Sequence, residues 1–402
     1  QILKYNEILK VVSHFANISH FNEIKTPIFE FSELFRKPLG EHSEVVLKEM
    51  YTFEDRNKES ITLRPEYTTP MIRAAISNGL LNNLPAKYFG TGQMFRRERP
   101  QKGRFRQFHQ IGVEYFGEIN FLYDTEVILV AEKLINFLDI KKKLKLQINS
   151  LGNLNSRKKY IKVLQEFLSD NFKRLSDLSQ KRFKENPLRI LDSKDPSDRK
   201  LLKLVPSIID SLDEESSNFF ESLLDHLKKL KIDFNINPNL VRGLDYYNHT
   251  AFEYVTKDEK SQNAVLAGGR YDGLVKSLGG NDISGVGWAA GIERIILNLS
   301  EEKDEKIIIC FFSLNNENNA EVIRIIQTMK IQDRFSINFL STGNLKKKLN
   351  KANKIGSRGC ILLGEEEWGK KMLVWKDFST GQQENFHFEK INDFLINKLI
   401  KN

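Results

Sequence analysis

The sequence predicts an α+β first part, interrupted by a helical insertion and followed by a small C-terminal α/β domain. Three observations carry this. The stretch Phe95-Arg96-Arg97-Glu98-Arg99-Pro100 through Phe108-His109-Gln110-Ile111-Gly112-Val113-Glu114 reads as two strands joined by a basic loop, with a clean period of two in the second. Residues 154–230 turn almost wholly helical and highly charged. From Lys306 onward strands alternate with helices, as in a small parallel-sheet α/β unit. A chain of 402 residues is long enough for two or three such parts, and the charged segment 300–305 is the expected linker.

In chain order, Ile8, Leu9, Val12 and Phe15 recur at helical spacing and predict a helix over 4–18. A strand is expected over 23–30, where Pro27 favours an edge. Residues 51–53 and 60–63 read as a hairpin around the polar turn 55–59. Its second strand delivers Arg64-Pro65-Glu66-Tyr67-Thr68-Thr69-Pro70 into a helix beginning near Met71, whose dipole Glu66 can answer. After the basic hairpin, Asp124 is the expected cap of a helix carrying Val127, Ile128, Ala131, Leu134, Ile135 and Leu138, and a strand follows at 144–148. Within the insertion, Asp213 caps a helix whose Phe219, Phe220, Leu223, Leu224, Leu227 and Leu230 share one face.

The sheet resumes at 234–236. Glycine-dense runs then appear at 267–273 and 285–291, which means close backbone approach to a ligand or another element. Arg294 falls in the first turn of the next helix, where a cation opposes the dipole and suits an anion; a surface arginine on an amphipathic helix is the plainer alternative. In the last part, strands are expected at 307–312, 335–340 and 359–363, helices at 317–330 and 343–354, then a hairpin and a helix from near Ile391.

Face assignment in the basic hairpin points to a site. Phe105, His109, Ile111, Val113 and Tyr115 share one side; Arg106, Phe108, Gln110, Gly112 and Glu114 share the other. A cation, an aromatic ring, an amide, a gap and a carboxylate make a pocket lining rather than a solvated face. The loop clusters Arg97, Arg99, Lys102, Arg104 and Arg106, whose guanidinium forks suit polyphosphate or RNA, against the plainer reading of a charged, solubilising turn.

A charged fraction of 29% and a hydrophobic fraction of 40% describe an ordinary soluble protein, and no apolar run nears the roughly 20 residues that span a bilayer. No signal-peptide pattern precedes the first helix. Cys310 and Cys360 lie in apolar runs and are expected to be buried thiols in a reducing compartment. No Cys/His spacing suggests zinc, and no Walker-type glycine loop is present. The net charge is +9, of which residues 306–402 supply about +6, sixteen Lys and Arg against ten Asp and Glu; this asymmetry suggests a polyanionic partner.

Phe95-Arg96-Arg97-Glu98 followed by Gly103-Arg104-Phe105-Arg106-Gln107-Phe108-His109-Gln110 resembles motif 2 of the class II aminoacyl-tRNA synthetases, and more narrowly that of the histidyl-tRNA synthetases. The first helix and the Pro-bearing strand resemble motif 1, the dimer-forming element, and 285–294 resembles motif 3. Residues 242–248 and 268–273 resemble the two histidine-specific motifs. Arg-Pro-Glu-x-Thr at 64–68 resembles a further substrate element, with Tyr67 where Gly is more usual. The resemblance covers nearly the whole chain; the family pattern has a short segment before the first helix, whereas this sequence begins at Gln1.

The resemblance implies a catalytic domain with a mainly antiparallel sheet of the class II synthetase type. It would comprise 1–150 (motifs 1 and 2) and 233–300 (histidine motifs and motif 3), around a helical insertion at 151–232, with an anticodon-binding domain at 306–402. It implies a cytoplasmic homodimer, not membrane-bound, acting as a histidine–tRNA ligase. L-histidine and ATP give histidyl-adenylate and pyrophosphate, and histidine then passes to the 3′ end of its tRNA. Arg96, Arg242 and Arg294 would be the catalytic cations: Arg96 on the α-phosphate, Arg294 on the γ-phosphate, and Arg242 across from Arg96 by the substrate carboxylate. Phe108 would stack on adenine. Glu66, Thr68 and Gln110 would hold the α-amino group, and Glu114, Tyr247 and Tyr271 would enclose the imidazole. Mg2+ is expected with the pyrophosphate portion, through ligands the sequence does not assign. Arg99, Gln101 and Arg104 would face the acceptor end of the tRNA.

Two other classes compete. A regulatory paralogue controlling ATP phosphoribosyltransferase would lack the C-terminal domain and erode the motif 2 and 3 arginines; an RNA-binding or sensor module on a dead synthetase would break the ATP contacts. This sequence keeps Arg96, Arg242, Arg294 and the basic last part. For Glu114 the alternative is a purely structural pairing with Arg106 on its own face.

Overall fold

A long, mainly antiparallel sheet organises the larger unit of the computed structural model. The structure describes residues 2–400 apart from 41, 42, 44, 243, 245, 259–263, 301–305 and 330–334. The expected linker beyond Ser300, and Gly243 and Asp245 of one expected motif, therefore lie outside the described residues. The chain divides into two units, Gln1–Ser300 and Glu301–Asn402.

The strands of the larger unit are β1 (Asn22–Glu23), β2 (Phe29–Phe31), β3 (Tyr51–Glu54), β4 (Ser60–Leu63), β5 (Ala86–Phe95), β6 (Gln107–Gly117), β7 (Leu144–Ser150), β8 (Phe234–Ile236), β9 (Asn248–Thr256), β10 (Ala264–Arg270) and β11 (Ser284–Gly291). Among the described residues, eight form one sheet in the order β1-β5-β6-β11-β10-β9-β7-β8. Only its two end pairs, β1 with β5 and β7 with β8, are parallel. This is the expected class II type of sheet. β2, β4 and β3 make a separate antiparallel sheet, with Tyr51 opposite Leu63 as the hairpin reading requires.

The helix Ile2–Ile18 buries Ile8, Val11, Val12 and Ala16 in the core that also holds Ile111, Val113 and Tyr115 of β6. The strand expected over 23–30 is split in two. Thr26 O, Thr26 Oγ1 and Pro27 O accept from the buried Arg64 Nη1, so this segment bonds a side chain instead of a neighbouring strand, and Pro27 has no N–H to give a ladder. β1 nonetheless lies at the sheet edge.

The helix Phe121–Phe137 is capped not by Asp124 but by Asn120, whose side chain accepts from the Leu122 N–H. Asp124 is fully buried one turn in, and its carboxylate pairs with the equally buried Arg270. In the insertion, Leu154–Asp170, Asp177–Glu185 and Pro196–Leu202 are helices. Asp213 caps Glu214–Lys229 through the Ser216 N–H, as expected. That helix buries Phe220, Leu223 and Leu227 in the same core as the sheet, whereas Tyr160, Leu164 and Leu168 pack in a second cluster with Tyr67, Met71 and Tyr271.

The smaller unit contains β12 (Ile307–Ser313), β13 (Phe335–Phe339), β14 (Gly359–Leu363), β15 (Met372–Asp377) and β16 (Gln383–His387), in the order β13-β12-β14-β15-β16. The first three are parallel, and the hairpin β15–β16 extends them antiparallel. Cys310 and Cys360 are buried free thiols directly opposite each other on β12 and β14. On the helix Leu345–Lys354, Lys346, Lys347, Lys351 and Lys354 are exposed, while buried Lys348 donates to Ser313 O at 2.9 Å. Among the described residues no helix is long and apolar enough to cross a membrane.

Candidate functional site

Within β6 the alternation places the two faces as the sequence predicts, but Phe105, expected on the core side, lies before the strand, where the period of two no longer holds, and it is exposed and borders the cleft instead. Ile111, Val113 and Tyr115 enter the core, while Phe108 and Gln110 border an open cleft. The cleft has a carboxylate-and-hydroxyl end and a cationic end.

At the first end, Glu66 and Thr68 come from the start of the helix Thr68–Ser77. Glu66 accepts from the Thr68 N–H at 2.7 Å, the Thr69 N–H at 2.9 Å and the Thr69 hydroxyl. It thus answers the helix N-terminus, as the dipole reading expects, and it also borders the cleft. Burial raises its pKa against the pull of these hydrogen bonds.

Beneath it lies Glu114, which accepts from the Thr68 hydroxyl at 2.6 Å and from the Tyr271 hydroxyl. Burial, with the Glu66 charge adding to it, lifts the Glu114 carboxyl to about 8 in spite of those two donors. Neither Glu114 nor Tyr271 borders the open cleft; they are 0% and 1% exposed and form its lower layer. A Cβ at Gly287 would land on the Glu114 carboxylate, and one at Gly285 on the Tyr271 ring, which explains the glycine density of β11. Arg106 is exposed, and the hydrogen bonds that hold Glu114 come from Thr68 and Tyr271.

The cationic end gathers arginines from separate elements. Arg96 donates through Nε to Pro65 O at 2.8 Å, and its guanidinium lies 5.5 Å from the Phe108 ring centre. Arg294 donates to Ala264 O at 2.6 Å and Gly103 O at 3.3 Å. Burial, together with Arg104 and Arg96, pulls its pKa down to about 10, so the arginines repel one another and an anion would relieve them. Arg242 reaches Glu253 at 3.2 Å and lies 5.7 Å from the Tyr247 ring centre. Its Nε, and Gln110 Oε1, are buried without a hydrogen-bond partner among the described residues. Such atoms are costly unless something pairs with them.

The structure thus brings Glu66, Thr68, Arg96, Phe108, Gln110, Arg242, Tyr247 and Arg294 to one cleft. Of the loop residues expected at the tRNA, Arg104 also borders the cleft, paired with Glu98 at 3.3 Å, whereas Arg99 and Gln101 are exposed and do not. Sequence reasoning missed Glu98, Tyr246 and Glu293, which border the cleft as well. Tyr246 packs against Tyr247 with centroids 4.5 Å apart and edge-on to Tyr271 at 5.8 Å; its adjacency to Tyr247 was the available signal. Among the described residues no group of three or more His, Cys, Asp or Glu could hold a metal ion.

A family model described as Histidyl-tRNA synthetase matches residues 1–295, and one described as Anticodon binding domain matches 307–398. The chain is 45% identical over 376 residues to the histidine–tRNA ligase of Rhodospirillum rubrum, covering 93% of this chain and 90% of that one. It is 42% identical over 384 residues to that of Gluconobacter oxydans, covering 95% and 92%. Among solved structures, apo histidyl-tRNA synthetase of S. aureus superposes with a TM-score of 0.77 at 30% identity, over 97% of this chain and 95% of that chain.

Proposed function

The chain belongs to the histidyl-tRNA synthetase family, and from that premise we propose how its cleft carries out the reaction. It is an aminoacyl-tRNA ligase: it activates L-histidine with ATP, giving histidyl-adenylate and pyrophosphate, and transfers histidine to the 3′ end of its tRNA. The observation that carries the site assignment is that groups suited to an amino acid and groups suited to a polyphosphate border one cleft.

Attack of a carboxylate on the α-phosphate needs positioning and charge stabilisation more than covalent help. In our reading, Arg96 holds the α-phosphate with Phe108 against adenine, and Arg294 takes the γ-phosphate. Arg242 stands by the substrate carboxylate, its unpartnered Nε ready for it. Glu66, Thr68 and Gln110 take the α-amino group. Tyr247, with Tyr246, walls the imidazole above the Glu114–Tyr271 layer. A carboxylate can accept about four hydrogen bonds, so a ligand N–H can join Thr68 and Tyr271 on Glu114 once the groups covering it give way. Arg99, Gln101 and Arg104 serve the acceptor end of the tRNA, Arg104 from the cleft edge.

Mg2+ is proposed to arrive on the phosphates of ATP, where it would neutralise charge on the leaving pyrophosphate. Glu98 and Glu293 at the cleft are engaged by Arg104 and His109, and Glu253, which Arg242 reaches from the cleft, is engaged by that arginine, which suits an ion held largely by phosphate oxygens and water. A homodimer is supported by the exposed Phe29, Phe31 and Phe53 of the small sheet, and a cytoplasmic, reducing location by the two buried free thiols. The proposed domain division is 1–150 with 233–300 for catalysis, 151–232 as insertion and 306–402 for the anticodon.

Purified protein with ATP and magnesium is expected to exchange labelled pyrophosphate into ATP only when L-histidine is present. No exchange from a folded, dimeric sample would move the reading to the regulatory paralogue. The exposed lysines of the smaller unit lead to a second expectation. Deleting 306–402 is expected to reduce aminoacylation far more than pyrophosphate exchange, and equal loss of both in a folded truncation would count against an anticodon role.

A further inference from the structure

β6 and β11 remain paired as far as Gln110 opposite Gly291, the last pair of their register. Just beyond, Glu293 replaces the missing ladder. Its two carboxylate oxygens each accept from the His109 N–H at 3.0 Å, and Oε1 lies 2.8 Å from His109 Nδ1. Tyr5 of the first helix sets its ring edge-on to the His109 imidazole, with centroids 4.8 Å apart. A strand end needs only one acceptor for its N–H, and water would serve; here one carboxylate takes both the backbone and the ring.

The neighbours in sequence give this arrangement its meaning. His109 directly follows Phe108, whose ring lies by the Arg96 guanidinium. Glu293 directly precedes Arg294, whose hydrogen bonds go to the backbone carbonyls of Ala264 and Gly103. We propose that His109 and Glu293 are positioning residues, a latch that fixes the Phe108 strand and the Arg294 helix at the separation an ATP molecule requires. This rests on the ligase reading of the cleft given above. With the Nδ1–H directed at the carboxylate, the imidazole acts as a donor, so its contribution is a directed N–H and not bulk. Loss of that donor loosens the two ATP-gripping elements and leaves the amino-acid end, built on Glu66, Thr68 and Glu114, as it was.

Pyrophosphate exchange measured with each substrate varied in turn tests this. His109→Ala is expected to raise KM for ATP about 10- to 100-fold, the scale on which small misplacements cost binding and rate, with KM for histidine within about twofold of wild type. His109→Asn, whose side-chain amide can donate to Glu293, is expected to recover most of the loss. A role in packing alone would affect both substrates alike, and Asn would be no better than Ala; either result in folded protein overturns the latch. Should His109→Ala fail to fold, Glu293→Gln keeps the size and one acceptor and is expected to give the same ATP-selective defect; an unselective defect there also overturns the proposal. Wild-type enzyme assayed alongside separates the two levels. Absence of histidine-dependent exchange in wild type overturns the ligase reading itself, whereas normal wild-type exchange with unselective variants overturns only the latch.

Discussion

Replacing Arg242 with alanine is expected to lower kcat for adenylate formation by roughly 10²–10³, the usual loss when one pre-placed charge donor is removed from a reacting oxyanion. KM for either substrate is expected to change less, because charge shifts at the α-phosphate in the transition state more than in the ground state. The surroundings support this division. Arg242 makes one contact of 3.2 Å to Glu253, stands beside the Tyr247 ring, and leaves a buried Nε without a partner among the described residues. Burial already raises the Glu253 pKa, with Arg242 the chief influence holding it down. In Arg242→Ala, Glu253 is therefore expected to take up a proton instead of remaining a buried, unpaired charge, which keeps the fold intact and the kinetics readable. Arg242→Lys is expected to recover little, since an ammonium cannot present the planar fork. Steady-state exchange kinetics, with thermal unfolding as the folding control, make the measurement. A variant whose only defect is weaker histidine binding would show that the cation acts on the ground state and that the proposed role is wrong.

Much of the cleft was legible in the sequence because strand alternation survives tertiary packing. The side of β6 that carries Phe108, Gln110 and Glu114 could be read from period two alone. Depth could not. Alternation assigns a face, and only the structure places Phe108 and Gln110 at the open cleft and Glu114 beneath Thr68 and Tyr271. Asp124 illustrates a different limit: Asn and Asp are both good caps, and what distinguishes them here is Arg270, remote in sequence, which draws Asp124 into a buried pair and leaves the cap to Asn120. Tyr246 precedes a strand in a loop without periodicity, and its adjacency to Tyr247, the one local signal, does not by itself say that both side chains turn inward. Arg104 was assigned to the tRNA through the resemblance of its loop to motif 2, and its position beside Arg294 and Glu98 depends on how that loop folds back.

Glu114→Gln is expected to lower kcat/KM for histidine by about 10², the scale of losing one charged hydrogen bond, while KM for ATP stays nearly unchanged. Neutral imidazole offers one donor and one acceptor nitrogen. In the proposed complex Glu114 accepts from the first, and the Tyr247 hydroxyl donates to the second. An amino acid without those nitrogens leaves a buried carboxylate unpaired, and sites of this kind reject such analogues by about 10⁴–10⁵. Glutamine fits the space but supplies a single oxygen where Thr68 and Tyr271 now donate to two, so one of those hydroxyls also loses its acceptor. The carboxyl is lifted to about 8 chiefly by burial, which gives the prediction a pH signature. If the ionised form is the one that binds, kcat/KM for histidine in wild type rises with pH and levels off above about 8, and Glu114→Gln removes that limb. Stability runs the other way. The folded state keeps a proton that the unfolded chain has already released, so between the ordinary carboxyl range and about 8 stability falls as pH rises, and the variant loses that part of the slope. Histidine and ATP kinetics across this pH window, with denaturant unfolding alongside, separate the outcomes. Equal damage to both substrates, or a pH limb that persists in the variant, would make Glu114 a support for Thr68 and Tyr271 and place histidine selection elsewhere in the cleft.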